Sequence, residues 1–260
     1  MLERGPKVLS IQDIVIGVPI SSSYGFLGWS SISLIHDTAR NEYILLDSGG
    51  FNSRLVLLKK LNDLGIELSN VSKILLTHLH FDHCMNLELF PRAVIYISKK
   101  ELQYILSREY QKRNDIFVPK PYLERIIEER KVIEVSEGIE PHPGIMAIEL
   151  PGHTPGSTGY LIEDSEIIFV GDAIKNLYEL IHKKPALYFD SLSHWEKSID
   201  KVLKIAKEII PGHGSRIKVK DKIIEEIVKE LEIEFEIIIK GSKRKFKLNT
   251  LGELAVELSF

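Results

Sequence analysis

The segment Thr77-His78-Leu79-His80-Phe81-Asp82-His83 sets three histidines and one aspartate in the order H-x-H-x-D-H. Neutral imidazole and carboxylate are ligands for zinc, iron, nickel or manganese. In extended backbone, alternate side chains share a face, so His78 and His80 converge on one ion. Asp82 and His83 are neighbours and must diverge, which suits a second centre close to the first. Histidine fills 9 of 260 positions, so scattered surface histidines do not account for this density.

The elements that must hold these side chains are legible around them. Val71-Ser72-Lys73-Ile74-Leu75-Leu76 is apolar and β-rich and reads as a buried strand running into the ligand segment. A rigid strand fixes the first ligands, and an open sheet edge admits substrate. Residues 145–150 read as a strand delivering His153 within Pro151-Gly152-His153-Thr154-Pro155-Gly156-Ser157. Residues 159–163 and 167–170 read as a hairpin ending on Gly171-Asp172. A helix over 192–207 leads to Ile209-Ile210 and then Pro211-Gly212-His213-Gly214. A strand pair over 32–36 and 43–46 runs into Asp47-Ser48-Gly49-Gly50. Each ligand-type group follows a strand, as one assembled site requires.

Taken together, these ordered motifs resemble the metallo-β-lactamase superfamily, over most of the chain up to Gly214. The resemblance implies an α/β fold, a four-layer αβ/βα sandwich of two mixed sheets with helices outside and the metal centre at one edge. It implies that His78, His80 and His153 hold one ion, that Asp82, His83 and His213 hold a second, and that Asp172 bridges them. Asp47, by the same resemblance, orients a ligating histidine. The implied cofactor is two divalent ions, zinc first, with manganese, iron or nickel as alternatives. A bridging hydroxide, accessible because zinc lowers the pKa of bound water to near 7, would attack an ester, lactone or thioester. Asp82 or a water would protonate the leaving group.

Some lactonases of the superfamily place a catalytic tyrosine three residues after the bridging aspartate. That position is Lys175 here, and the nearest tyrosine, Tyr178, is the candidate for the role. The basic glutathione-binding pattern of glyoxalase-II-like thioesterases is not identifiable. Asp172 also departs from true β-lactamases, which use a different second-site set. Two other reactions draw on the same residues. One is cleavage of phosphodiesters or RNA. The other is persulfide oxidation on a single iron held by residues equivalent to His78, His153 and Asp172. A structural zinc fits poorly, because such sites are closed and tetrahedral.

Composition bounds the partners. Formal net charge is -3, from 34 basic and 37 acidic residues. This near balance gives no electrostatic case for nucleic acid or an anionic membrane, so a small-molecule substrate is expected. Cys84 is the single cysteine, which excludes an intrachain disulfide and points to a reducing compartment. With no signal-peptide pattern and no apolar run of spanning length, a cytoplasmic location is expected. Oligomeric state is left open.

The expected organisation is one domain over 1–260, with a core at 1–216 and a C-terminal helical extension at 217–260. Within the extension, Ile223, Ile224, Ile227, Val228 and Leu231 share one helical face. Residues 232–237 alternate and suit a longer helix or a strand, and Thr250-Leu251-Gly252-Glu253 matches a capping box opening a last helix. Helices are expected over 99–110 and from Pro121 to about 130. The intervening loop around Asp115 and Phe117 covers part of the cleft in relatives.

Overall fold

Most strands of this chain carry apolar side chains on both faces, and such strands need cover on both sides. In the computed structural model, which describes residues 9–23, 25–220, 223–227, 231–249 and 254–255, that cover is two sheets face to face with helices outside. The chain divides into two compact units, Met1–Glu225 and Glu226–Phe260.

The first unit opens with β1 (Leu9–Val15), the short ladder β2 (Ser21–Ser22) and β3 (Gly25–Phe26), β4 (Ile32–Asp37) and β5 (Glu42–Leu46). Helix α1 (Arg54–Asp63), β6 (Val71–Leu75), the single turn α2 (Phe81–Cys84) and β7 (Val94–Ser98) follow. Helices α3 (Lys99–Leu106), α4 (Glu109–Lys112) and α5 (Lys120–Glu129) lead to β8 (Val132–Val135). The second half holds β9 (Ile145–Glu149), β10 (Thr158–Ile162), β11 (Ile167–Gly171), α6 (Leu177–His182), α7 (Leu192–Ile205), β12 (Glu208–Pro211), β13 (Arg216–Lys220) and β14 (Ile223–Ile227).

One sheet has the order β1-β4-β5-β6-β7-β8 and the other β14-β13-β12-β11-β10-β9. Strands β5 to β8 are mutually parallel, as are β11 and β12. Parallel neighbours end at the same edge, so the segments after β5 and β6 emerge side by side, as do those after β11 and β12.

Alternation along the strands separates three apolar clusters. Ile35, Ile44, Leu46 and Leu75 of one sheet meet Ala147, Tyr160, Phe169 and Ile210 of the other. Leu45 and Ile74 point the opposite way, toward Leu57 and Leu61 of α1. Ile168 and Ile209 pack outward with Leu180 of α6 and Val202 of α7. This gives the expected αβ/βα layering. Cys84 is fully buried among the apolar residues of the cluster that includes Leu57 and Leu61, as a small hydrophobe. No helix among the described residues is long and apolar enough to cross a membrane.

Two expectations need correction. Residues 99–110 form two helices rather than one, broken at Arg108, whose φ is 60°. The larger correction is in the C-terminal extension. Ile223–Ile227 is a strand, not a helical face, and the second unit holds β15 (Glu232–Ile239), β16 (Ser242–Asn249) and β17 (Leu254–Ala255). The physical reason lies in the side chains. The Glu-Ile-Glu-Phe-Glu alternation keeps Glu232, Glu234 and Glu236 on one face, where they reach Lys247, Lys245 and Lys243, their diagonal neighbours in the hairpin register, as cross-strand ion pairs. Lys240 and Gly241, with φ of 51° and 75°, close the hairpin by a two-residue turn that needs two left-handed residues. The capping box at Thr250–Glu253 lies outside the described residues.

Candidate metal centre

Strand β6 ends at Leu75, the chain bends at Thr77, and it is extended at His80, whose ψ is 152°. His78 and His80 converge on a common side with His153. The single helical turn α2 then reverses direction and separates Asp82 and His83 from them. His153 arrives after β9, Asp172 directly after β11, and His213 after β12.

The structure brings all seven sequence-identified side chains together. His78, His80 and His153 form one triad, and Asp82, His83 and His213 form another. Asp172 groups with His78 and His83, and within each group the ligand-type atoms lie within 4.8 Å of one another. Asp172 stands between the triads. Its Oδ1 is 3.2 Å from His213 Nε2 and 3.3 Å from His83 Nε2, while Oδ2 is 3.6 Å from His153 Nε2. Asp82 Oδ2 is 3.4 Å from His213 Nε2. The site is tightly built at this point. A Cβ at Gly212 would lie 2.1 Å from Asp172 Oδ1, so only glycine fits beside the shared carboxylate.

Each histidine is anchored by its outer ring nitrogen. His153 Nδ1 donates to the Leu187 carbonyl at 3.0 Å and His213 Nδ1 to the Trp29 carbonyl at 2.9 Å. His83 Nδ1 is 2.7 Å from Asp47 Oδ2, and His80 Nε2 is 2.9 Å from Asp115 Oδ2. Thr77 gives its hydroxyl proton to Asp47, which leaves Thr77 Oγ1 to accept from His78 Nδ1 at 3.1 Å. Carbonyls and carboxylates only accept, so the outer nitrogens carry protons, and in the neutral form of each ring the lone pair turns inward.

Those inward lone pairs have no protein partner. His78 Nε2, His83 Nε2, His213 Nε2 and Asp172 Oδ1 are buried without a hydrogen bond. His80 Nδ1 and His153 Nε2 face each other at 3.0 Å, both as acceptors by the same assignment. An unsatisfied buried polar atom costs about 1–3 kcal/mol. A cluster of them converging from four segments fits a divalent cation, which accepts these lone pairs.

The electrostatics agree. Burial, then the neighbouring histidines, keeps His78 well below the usual imidazole range, and burial lowers His153 to about 3. Burial opposes protonation of His83 too, but Asp82, Asp172 and Asp47 outweigh it and hold His83 well above that range. Without a cation, protons balance the buried carboxylates; a divalent ion would displace them.

Two buried acids escaped the sequence reading. Asp115 accepts from His80, from the Tyr104 hydroxyl at 3.0 Å and from the Phe117 N–H at 3.1 Å. Glu101, fully buried on α3, accepts from the Leu79 N–H, the Gly156 N–H and the Thr154 hydroxyl. It thereby ties the His78–His80 loop to the His153 loop. Neither has a motif signature, and Trp29 and Leu187 act through backbone carbonyls, which no side-chain pattern marks. Asp47 does orient a histidine as expected, with φ of 56° at a position where aspartate tolerates the left-handed region.

A cleft of about 500 Å³ opens over the two triads. Phe26, Phe81, Ile116, Phe117 and Leu187 give it apolar walls, and Lys175 is a cation within it. Lys175 Nζ lies 2.9 Å from Asp172 Oδ2. Tyr178 is placed differently from the role expected of it. It is 67% exposed, its ring rests on His182 at 4.0 Å, and it is not among the residues lining the cleft.

Residues 28–213 match the profile of the metallo-beta-lactamase superfamily. The chain belongs to the metallo-beta-lactamase superfamily. It is 30% identical over 184 residues, 70% of this chain and 75% of the other, to the Methanocaldococcus jannaschii protein named "Probable metallo-hydrolase". It is 26% identical over 206 residues, 64% of this chain and 78% of the other, to the N-acyl homoserine lactonase of Bacillus thuringiensis. Among solved structures, the dizinc quorum-quenching lactonase AidC superposes with a TM-score of 0.60 at 23% identity, over 80% of this chain and 82% of that one. The protein is a hydrolase of this superfamily, and its His and Asp groups are those of a divalent-metal site.

Proposed function

We propose that the protein hydrolyses a small ester, lactone or thioester using two divalent ions, zinc first. His78, His80 and His153 would hold one ion, Asp82, His83 and His213 the other, and Asp172 both. The observation that carries this reading is the pair of triads sharing Asp172, with unpartnered lone pairs turned inward at the floor of an apolar cleft. The lactonase relatives support a carbonyl substrate. When bound, the ions supply a hydroxide nucleophile near neutral pH and a Lewis acid for the carbonyl.

The chain's own residues do the rest. Phe26, Phe81, Phe117 and Leu187 take up the apolar part of the substrate and exclude water. The Lys175 ammonium, beside Asp172, donates toward an oxygen of the substrate; it occupies the place that Tyr178 does not reach. Asp82, which lines the cleft, passes a proton to the leaving oxygen or sulfur. Residues 1–216 are the catalytic core in this reading, with 217–260 as an extension.

Metal analysis combined with a panel of a lactone, an aryl ester, a thioester, a phosphodiester and a persulfide tests the proposal. About two ions per chain and turnover of one of the first three are expected. One tightly held iron with oxygen uptake on persulfide would overturn it.

A further inference from the structure

Glu179 is a buried carboxylate that the chemistry above does not use. It stands on α6 and is 2% exposed. Its oxygens hold two separate stretches of backbone: Oε2 accepts the Lys175 N–H at 2.8 Å, and Oε1 accepts the Ala186 N–H at 2.6 Å. Each stretch is tied to a different triad. The Lys175 carbonyl accepts the His213 backbone N–H at 2.7 Å. Leu187, next to Ala186, gives its carbonyl to His153 Nδ1 at 3.0 Å, and the Phe189 N–H donates to the His153 carbonyl at 2.7 Å. Lys175, Ala186 and Leu187 are also cleft wall.

The residue type suits the task. An ionised carboxylate only accepts, so both oxygens can take an N–H. An amide of the same shape would turn a donor toward one of them. Hydrogen bonds from backbone N–H to a carboxylate are also stronger than those to a neutral acceptor.

We propose that Glu179 is a positioning residue that makes ion loading and ordering of the 183–189 cleft wall one coupled event. An ion on His153 fixes the ring, the ring holds the Leu187 carbonyl, and Glu179 ties that segment to the backbone beside His213. Coupling is reciprocal, so whatever ion binding contributes to the wall, a fixed wall returns to ion affinity. The inference rests on the hydrolase reading only in requiring a divalent ion at the triads.

The experiment compares wild type, Glu179→Gln and Glu179→Ala at pH 8, with and without zinc. Amide exchange over 186–189 is measured, and zinc affinity is read by competition with a chromophoric chelator. Zinc should slow exchange of the segment in wild type. Glu179→Ala should lose most of that slowing and about tenfold in zinc affinity, the scale of losses for partners outside the ligands themselves. Glu179→Gln, which keeps the shape and one acceptor, should fall between. A merely structural role would raise exchange equally with and without zinc, which overturns the coupling; so would wild-type zinc affinity in both variants. Wild type that takes up no divalent ion would sink the hydrolase reading itself, before any variant is compared.

Discussion

Replacing Asp115 by asparagine changes almost no shape but turns one accepting oxygen into a donor. Asp115 Oδ1 accepts from the Phe117 N–H, and Oδ2 accepts from both His80 Nε2 and the Tyr104 hydroxyl. If the amide oxygen keeps Phe117, the NH₂ group faces His80 Nε2 at about 2.9 Å, where the ring now carries a proton. Two donors cannot face each other, so His80 must shift its proton to Nδ1. That atom lies 3.0 Å from His153 Nε2, and the two rings then hydrogen-bond to each other across the first triad. An ion must break that bond and restore the disfavoured tautomer. The opposite amide orientation puts the NH₂ against the Phe117 N–H and costs about 1–3 kcal/mol as an unsatisfied buried donor. Either way, affinity for one ion should fall about 10–100-fold, or about 1.4–2.7 kcal/mol. The second ion should be little affected. Zinc titration against a competing chelator measures both steps, and a thermal melt of the metal-free variant checks folding. Asp115→Ala, which strips three donors of their acceptor, should instead melt well below wild type. Asp115→Asn with two ions at wild-type affinity would refute the assignment of His80 Nδ1 as the inward atom.

Other outcomes follow from the same geometry. His213→Ala should retain about one ion per chain and lose most turnover, whereas Asp172→Ala should disturb both ions and lose more; metal content and rates on one preparation decide it, and two full ions in His213→Ala would contradict the grouping. Gly212→Ala sets a Cβ 2.1 Å from Asp172 Oδ1, so it should lower metal content at little change in secondary structure by circular dichroism; wild-type loading would show that the carboxylate moves freely. In metal-free protein, burial raises Glu179 from an ordinary 4.5 to about 7, with Asp172 adding to the rise and the Ala186 and Lys175 N–H groups and the Lys175 ammonium opposing it. The sign is that of a raised acid: its contribution to stability is present below pH 4.5 and is lost as pH rises through about 7. The stability gap between metal-free wild type and Glu179→Gln should therefore shift in favour of the variant by up to about 3 kcal/mol from pH 5 to pH 8. Urea melts at several pH values measure it, and a constant gap rules it out.

The ligand set was legible in the chain because metal chemistry demands particular side chains at short range. His78 and His80 stand at alternate positions, which lets them converge, and the turn through Asp82 and His83 is local. His153, Asp172 and His213 each follow a recognisable strand, so their arrival at one edge could be read from strand endings. The layered fold was legible only through the resemblance of the ordered motifs to the superfamily; the structure supplies the physical reason, since strands with two apolar faces leave few ways to be covered. The C-terminal extension was misread because Ile223, Ile224 and Ile227 fit both a helical face and a strand. Ion pairs such as Glu234–Lys245, formed only once the hairpin closes, belong to the strand alternative and are invisible to a local pattern. What only the tertiary structure decided is how the ligands are held and what surrounds them. Asp115 and Glu101 matter through contacts with residues 22 to 55 positions away, and Trp29 and Leu187 matter through main-chain oxygens that every residue possesses. Lys175 rather than Tyr178 enters the cleft because α6 begins at Leu177 and turns the tyrosine to solvent. Side-chain type carries the chemistry of an ion site, but tautomer, orientation and access depend on neighbours distant in the chain, and those are set only when the two sheets pack.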